Sequence, residues 1–154
     1  MTDARVVAAI SRFFFLALLD EHAAFLASTK AVADWRMRIL KSTAASKEGP
    51  ILLVAALQEA WSKLEHIPQT GQPVVFSEQD WLVPADLDLG PWLEFRRAGS
   101  RDEFFVLVTV KVLNLPVEVV AAGLKETVGT VRHRLARGLL LLGQIQMGNH
   151  EALA

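Results

Sequence analysis

The stretch from Thr127 to Leu142, TVGTVRHRLARGLLLL, constrains the fold more than any other part of the chain. Read at helical spacing, Val128, Val131, Leu135, Gly138 and Leu142 share one side, while Thr130, His133, Arg134 and Arg137 recur at i, i+3, i+4 and i+7 on the other. Thr127 suits the N-cap, because its hydroxyl can accept a bond from an open amide of the first turn, and no acidic residue follows until Glu151. The spacing therefore predicts a helix with one face to pack. Its other face, at a helix N-terminus with a basic flank, suits phosphate.

The remaining apolar residues also recur at helical intervals. From Ala4 to Leu19 they are dense enough (Val6, Val7, Ile10, Phe13, Phe14, Leu16, Leu18) to predict a helix buried over much of its circumference. After a polar corner at Asp20-Glu21-His22, a second helix is expected to reach Leu40, packing through Phe25, Leu26, Val32, Trp35 and Ile39. Its late cations Lys30, Arg36, Arg38 and Lys41 favour the helix dipole. Ser42 to Gly49 reads as a flexible connection, and Pro50 as the first turn of a third helix running to about Leu64 through Ile51, Leu52, Val54, Leu57 and Trp61.

Residues 66–90 change character. Pro68, Gly71, Pro73, Pro84 and Gly90 fall among acidic and apolar residues, which predicts a long connector lying against the helices, with a short extended piece possible at Pro73 to Phe76. Pro91 opens a short helix that Gly99 is expected to end in a left-handed conformation. Ser100 and Glu103 form a capping box for a helix through Leu113, with Phe104, Leu107, Val108 and Val110 to Val112 as core candidates and Asn114 as its C-terminal cap. Pro116 starts a two-turn helix, and Leu124 to Thr127 is a tight turn before the basic helix. The expected fold is all-α with six or seven helices. It comprises an N-terminal helical unit (1–65), a connector (66–90) and a C-terminal unit (91–154) ending in a helix-turn-helix.

Composition narrows the function. Hydrophobic residues make up 52% of the 154, yet no run approaches the roughly 18–20 apolar residues of a membrane helix. The start has Arg5 and Arg12 in an amphipathic pattern and no small-residue cleavage site, so a cytoplasmic protein without a signal peptide is expected. The absence of cysteine removes disulfides, thiolate metal sites and cysteine nucleophiles. Net charge is −1, and only Lys125 to Arg137 is locally basic, so any DNA affinity must come from that patch with a shallow salt dependence.

Two segments in order, LPVEVVAAGL from Leu115 to Leu124 and TVGTVRHRLARG from Thr127 to Gly138, resemble the C-terminal DNA-reading domain, region 4, of bacterial sigma factors of the extracytoplasmic-function type. The similarity spans about residues 102–142 and lies in Gly129-Thr130-Val131, Arg134 and Arg137 at their spacing from Leu115, Ala121 and Leu124. It implies that the basic helix enters the major groove of promoter DNA. Two positions depart from that family: Lys125 stands where a turn glycine is usual, requiring either a different turn or a left-handed lysine, and Pro116 replaces a Ser or Thr cap. Residues 15–35 are similar only in length and hydrophobic rhythm to the family's region 2, with Phe25, Ala27 and Ser28 where acidic residues and glutamine are usual.

The candidate DNA-binding residues are thus Thr130, Arg132, His133, Arg134, Arg137 and Lys125. Arg134 and Arg137 are expected on phosphate, Thr130 on phosphate near the helix start, and Arg132 or His133 on base edges. Taken alone, such a charge run reads as a solvated helix face. His22, His66, His133 and His150 lack metal spacing, and the carboxylates of residues 77–94 read as an acidic exposed loop, so no catalytic residue, metal or cofactor is expected and the chain does not read as an enzyme. The tryptophans read as core or interface anchors. Leu139 to Leu142 with Ile145 and Met147 is wider than one helix face needs, which predicts either insertion between the two halves or a homodimer surface.

Two functions remain open. The first is a sigma-factor-like transcription regulator that binds double-stranded promoter DNA, with RNA polymerase as the partner the resemblance implies. The second is a sigma mimic bound by an anti-sigma-like or other regulatory protein, without DNA binding. A small-ligand sensor using the connector as a pocket wall is a third possibility with no motif behind it.

Overall fold

The computed structural model describes residues 2–42, 45–64 and 90–153, and the side chains of all of these except 45–48 and 149–153. The described residues form an all-α structure of seven α-helices and one π-helical turn, without a strand among them. The chain divides into two compact units, Met1–Ala85 and Asp86–Ala154. No helix is long and apolar enough to cross a membrane among the described residues.

Unit 1 contains α1 (Asp3–Leu18), α2 (Glu21–Lys41) and α3 (Ala45–Lys63). Thr2 caps α1 by accepting the Arg5 amide, and Leu19 ends it in the left-handed region at φ 52° with its N–H donating to the Phe15 carbonyl at 2.8 Å. Asp20 then caps α2 by accepting the Ala23 amide at 2.9 Å. The polar corner expected at Asp20 to His22 is therefore a two-residue link whose second residue starts the next helix.

Helix α2 packs against both α1 and α3. Phe13 of α1 meets Phe14 and, on α3, Trp61 edge to face, at centroid separations of 5.2 and 5.6 Å. Val6, Ile10, Phe13, Phe14, Leu53, Val54 and Leu57 are fully buried. Each such side chain contributes roughly 1.5–3 kcal/mol relative to leaving it exposed. The Trp35 indole donates to the Gly49 carbonyl at 3.3 Å, tying α2 to the first turns of α3.

Two local expectations change here. Phe25 and Leu26 are 68% and 50% exposed, and α2 buries Ala24, Ser28, Ala31, Val32 and Trp35 instead. Small residues on that side bring the helices close, and the two large ones lie off the buried line. Pro50 stands inside α3, since the helix begins at Ala45. The expected connector, including Pro73 to Phe76, lies outside the described residues apart from Gly90.

Unit 2 contains α4 (Gly90–Ala98), α5 (Arg101–Leu107), a π-helical turn (Val108–Val112), α6 (Val117–Leu124) and α7 (Val128–Leu153). Helix α7 packs against α4, α5 and α6. Phe95 and Phe104 are buried and share a ring cluster with Trp92, with centroids 6.2–6.3 Å apart. Gly138 of α7 faces the Glu103 carbonyl, Phe95 and Leu107, and a Cβ there would meet them at 3.5–3.7 Å, ordinary van der Waals contact.

Gly99 does not take the expected left-handed conformation, for no described glycine has positive φ. A side chain there would instead meet the Phe95 carbonyl oxygen at 2.9 Å and Leu141 at 3.3 Å. Ser100 accepts the Glu103 amide at 3.1 Å as expected of a cap. The helix expected to run regularly through Leu113 turns π-helical after Leu107. There the buried Thr109 hydroxyl donates to the Phe105 and Val106 carbonyls, and Leu113 N–H reaches back to Val108. Side-chain competition for backbone carbonyls loosens the regular ladder at this point. Asn114 follows with φ 56°, fitting its expected role at the helix end.

Candidate nucleic-acid interface

The candidate site is built by α6, the three residues Lys125 to Thr127, and the first turns of α7. Pro116 precedes α6 with φ −60° and ψ 145°, and its carbonyl accepts the Val119 and Val120 amides at 3.0 and 3.1 Å. The proline supplies no side-chain cap. At the other end Lys125 is left-handed (φ 57°, ψ 39°), its N–H donates to Ala122, and Glu126 N–H reaches the Ala121 carbonyl at 3.0 Å. These are the bonds of a Schellman closure, which glycine normally completes. The turn is therefore kept, and the lysine takes the left-handed conformation.

Thr127 caps α7 as its sequence position predicts, accepting the Thr130 amide at 3.1 Å. The two hydroxyls of Thr127 and Thr130 also bond each other at 2.8 Å. Val131 and Gly138 are buried, and Val128, Leu135 and Leu142 are half-buried on the same side, so the packing face of α7 agrees with its periodicity. The exposed face is centred one residue away from the expected line. It runs through Gly129, Arg132, His133 and Ala136, with Thr130 and Arg134 at its half-buried edge.

Each arginine of this helix lies near a carboxylate. Arg132 is 3.9 Å from Glu118 of α6, with both side chains 67% exposed. Arg134 is only 25% exposed and stands between Asp102 at 3.8 Å and Glu126 at 3.6 Å. Arg137 lies 3.2 Å from Glu103, whose carboxylate is turned to this arginine and is 15% exposed. Lys125 and His133 are exposed, and His133 and Arg137 border a shallow depression of about 460 Å³ with Glu103 and Leu140. Spacing along α7 gave no sign of Asp102, Glu103 or Glu118, because they come from other helices and meet it only in the fold.

The geometry leaves Arg132, His133, Arg137 and Lys125 accessible to a large partner, and gives Arg134 a tie between α5, the turn and α7. Exposed ion pairs near 4 Å are weak and exchange readily for phosphate. Further along α7, Leu139, Leu140 and Met147 are 41%, 64% and 66% exposed. No group of three or more metal-ligating side chains occurs among the described residues. Comparison with protein-family models, with curated proteins and with solved structures gives no match.

Proposed function

We propose that this chain is a sigma-factor-like transcription regulator that binds duplex promoter DNA through a helix-turn-helix formed by α6, the Lys125 to Thr127 turn and α7. One observation carries the reading. The exposed face of α7 sets Arg132 and His133 between the small residues Gly129 and Ala136, with no carboxylate on α7 before Glu151. Small residues on either side let the helix sit deep in a major groove, where Arg132 and His133 reach base edges. Arg137 and Lys125 flank this face toward phosphates. RNA polymerase is the partner this role implies.

A second reading rests on the carboxylates. Glu118, Glu103, Glu126 and Asp102 oppose the arginines of α7, so the surface is charge-balanced and suits a protein partner. In that case the chain is a sigma mimic held by an anti-sigma-like or other regulatory protein. Fluorescence anisotropy of labelled duplex DNA at low salt separates the two. Promoter binding predicts saturable affinity that falls at least tenfold in an Arg132→Ala, Arg137→Ala double variant, and equal affinity for both proteins leaves only the second reading.

A further inference from the structure

Unit 1 holds a cavity of about 470 Å³ between α2 and the second half of α3. Small-molecule sites span roughly 300–1,000 Å³, so the volume is that of a ligand pocket. Eight of its twelve lining residues are alanine or leucine, and none is aromatic. Leu18, Ala31 and Ala56 are buried at its base, whereas Lys30, Glu59 and Lys63 are exposed at its mouth. An aliphatic floor therefore lies under a charged rim.

The charges of that rim are not equally satisfied. Asp34, which also lines the cavity, is held by Arg38 at 2.9 Å, and the two oxygens of Glu59 lie 3.2 Å from Lys63 and 3.9 Å from Arg38. Both carboxylates are thus met by cations. Lys30, one turn before Asp34, has no carboxylate partner among the described residues. With Arg38 counted, three cations stand against two carboxylates, and the excess positive charge is the Lys30 ammonium.

We infer that this cavity binds an aliphatic monocarboxylate, its chain on the alanine and leucine walls and its head group on Lys30. The walls offer no aromatic face on which a ring would stack. A lysine ammonium is a compact point charge with three donors, which suits one carboxylate. A second negative charge, as on a phosphate monoester, would face Asp34 and Glu59 with no further unpaired cation to meet it. Burial of the chain supplies most of the affinity, and the exposed ion pair with Lys30 selects the head group. All of the lining residues belong to unit 1, so the site is independent of the DNA reading proposed for α7.

An NMR titration of the isotope-labelled full chain with octanoate, and in parallel with octanol, tests this. Octanoate is expected to shift the amides of residues 23–34 and 56–64 saturably, and to bind about fivefold more tightly than octanol. Lys30→Gln is expected to abolish that preference without changing the affinity for octanol, and Lys30→Arg to keep it. Lys30 is exposed and unpaired, so neither substitution disturbs the packing of α2. Ala60→Leu, which fills the cavity from α3 and whose folding is checked by far-ultraviolet circular dichroism, is expected to weaken both ligands by about tenfold or more. The absence of saturable shifts in the two segments, or equal affinity of the wild type for octanoate and octanol, overturns the proposal. So does an octanoate preference that survives Lys30→Gln, or undiminished binding by folded Ala60→Leu.

Discussion

Arg134 of α7 joins two carboxylates from separate parts of unit 2: one of its terminal nitrogens lies 3.6 Å from Glu126 in the turn and 3.8 Å from Asp102 at the start of α5. Its side chain is only one quarter exposed, so most of it is removed from solvent. Arg134→Ala is expected to lower stability by about 1 kcal/mol in urea unfolding, through lost packing and two carboxylates left facing each other's field. Arg132→Ala, at a fully solvated pair, is expected to change it by less than about 0.5 kcal/mol. Equal effects of the two substitutions would remove the distinction between a bridging and a free arginine.

Lys125 holds a conformation that costs a residue with a side chain roughly 1–2 kcal/mol. Lys125→Gly is expected to raise the urea midpoint by the equivalent of about 1 kcal/mol, because the Schellman bonds from Lys125 and Glu126 stay in place. A lowered midpoint would mean that the lysine side chain contributes more to the fold than its backbone strain removes.

Gly138 and Gly99 should respond to alanine with opposite signs. A methyl at Gly138 would lie 3.5 Å from the Glu103 carbonyl, 3.6 Å from Phe95 and 3.7 Å from Leu107, which is ordinary contact inside a helix. Gly138→Ala is expected to stabilise by about 0.5–1 kcal/mol through reduced backbone entropy of the unfolded chain. At Gly99 the methyl would press on the Phe95 carbonyl at 2.9 Å, and Gly99→Ala is expected to destabilise by about 1 kcal/mol or more. Thermal unfolding of both variants checks the pair of signs.

The hydrogen bonds from Arg36 hold the Asp3 carboxyl below the usual aspartate value. A carboxyl lowered in the folded state adds stability that is present above its unfolded pKa and lost as pH falls through the folded one. The loss therefore begins as pH drops past the ordinary aspartate value of about 3.9. An NMR titration of Asp3 is expected to show the lowered midpoint in the wild type and the ordinary one in Arg36→Gln. No difference between the two would break the link between α1 and α2 drawn here.

Much of the fold was legible because helical periodicity reports burial directly. Val131 and Gly138 lie inward on α7, and Thr127 and Ser100 cap where a hydroxyl precedes an apolar helix. Reading failed where large side chains were taken to define the buried face. On α2 the close contacts are made by Ala24, Ser28 and Ala31, so Phe25 and Leu26 face solvent. The candidate site was half legible. Its cations other than Lys125 share one helix and announce themselves by spacing, whereas Glu118, Glu103 and Asp102 come from α6 and α5 and have no local signature. The π-helical turn at Val108 depends on where the Thr109 hydroxyl points, which spacing does not encode.

The salt dependence of duplex DNA binding tests the central claim most directly. Each neutralised phosphate contributes a slope of about −0.9 in log affinity against log salt. With Arg137 on phosphate and Arg132 on a base edge, the double alanine variant should bind more weakly and lose roughly one contact's worth of slope, and Glu118→Gln, which frees Arg132, should bind more tightly. Affinity and slope that stay the same in all three proteins would contradict a DNA-docking role for α7.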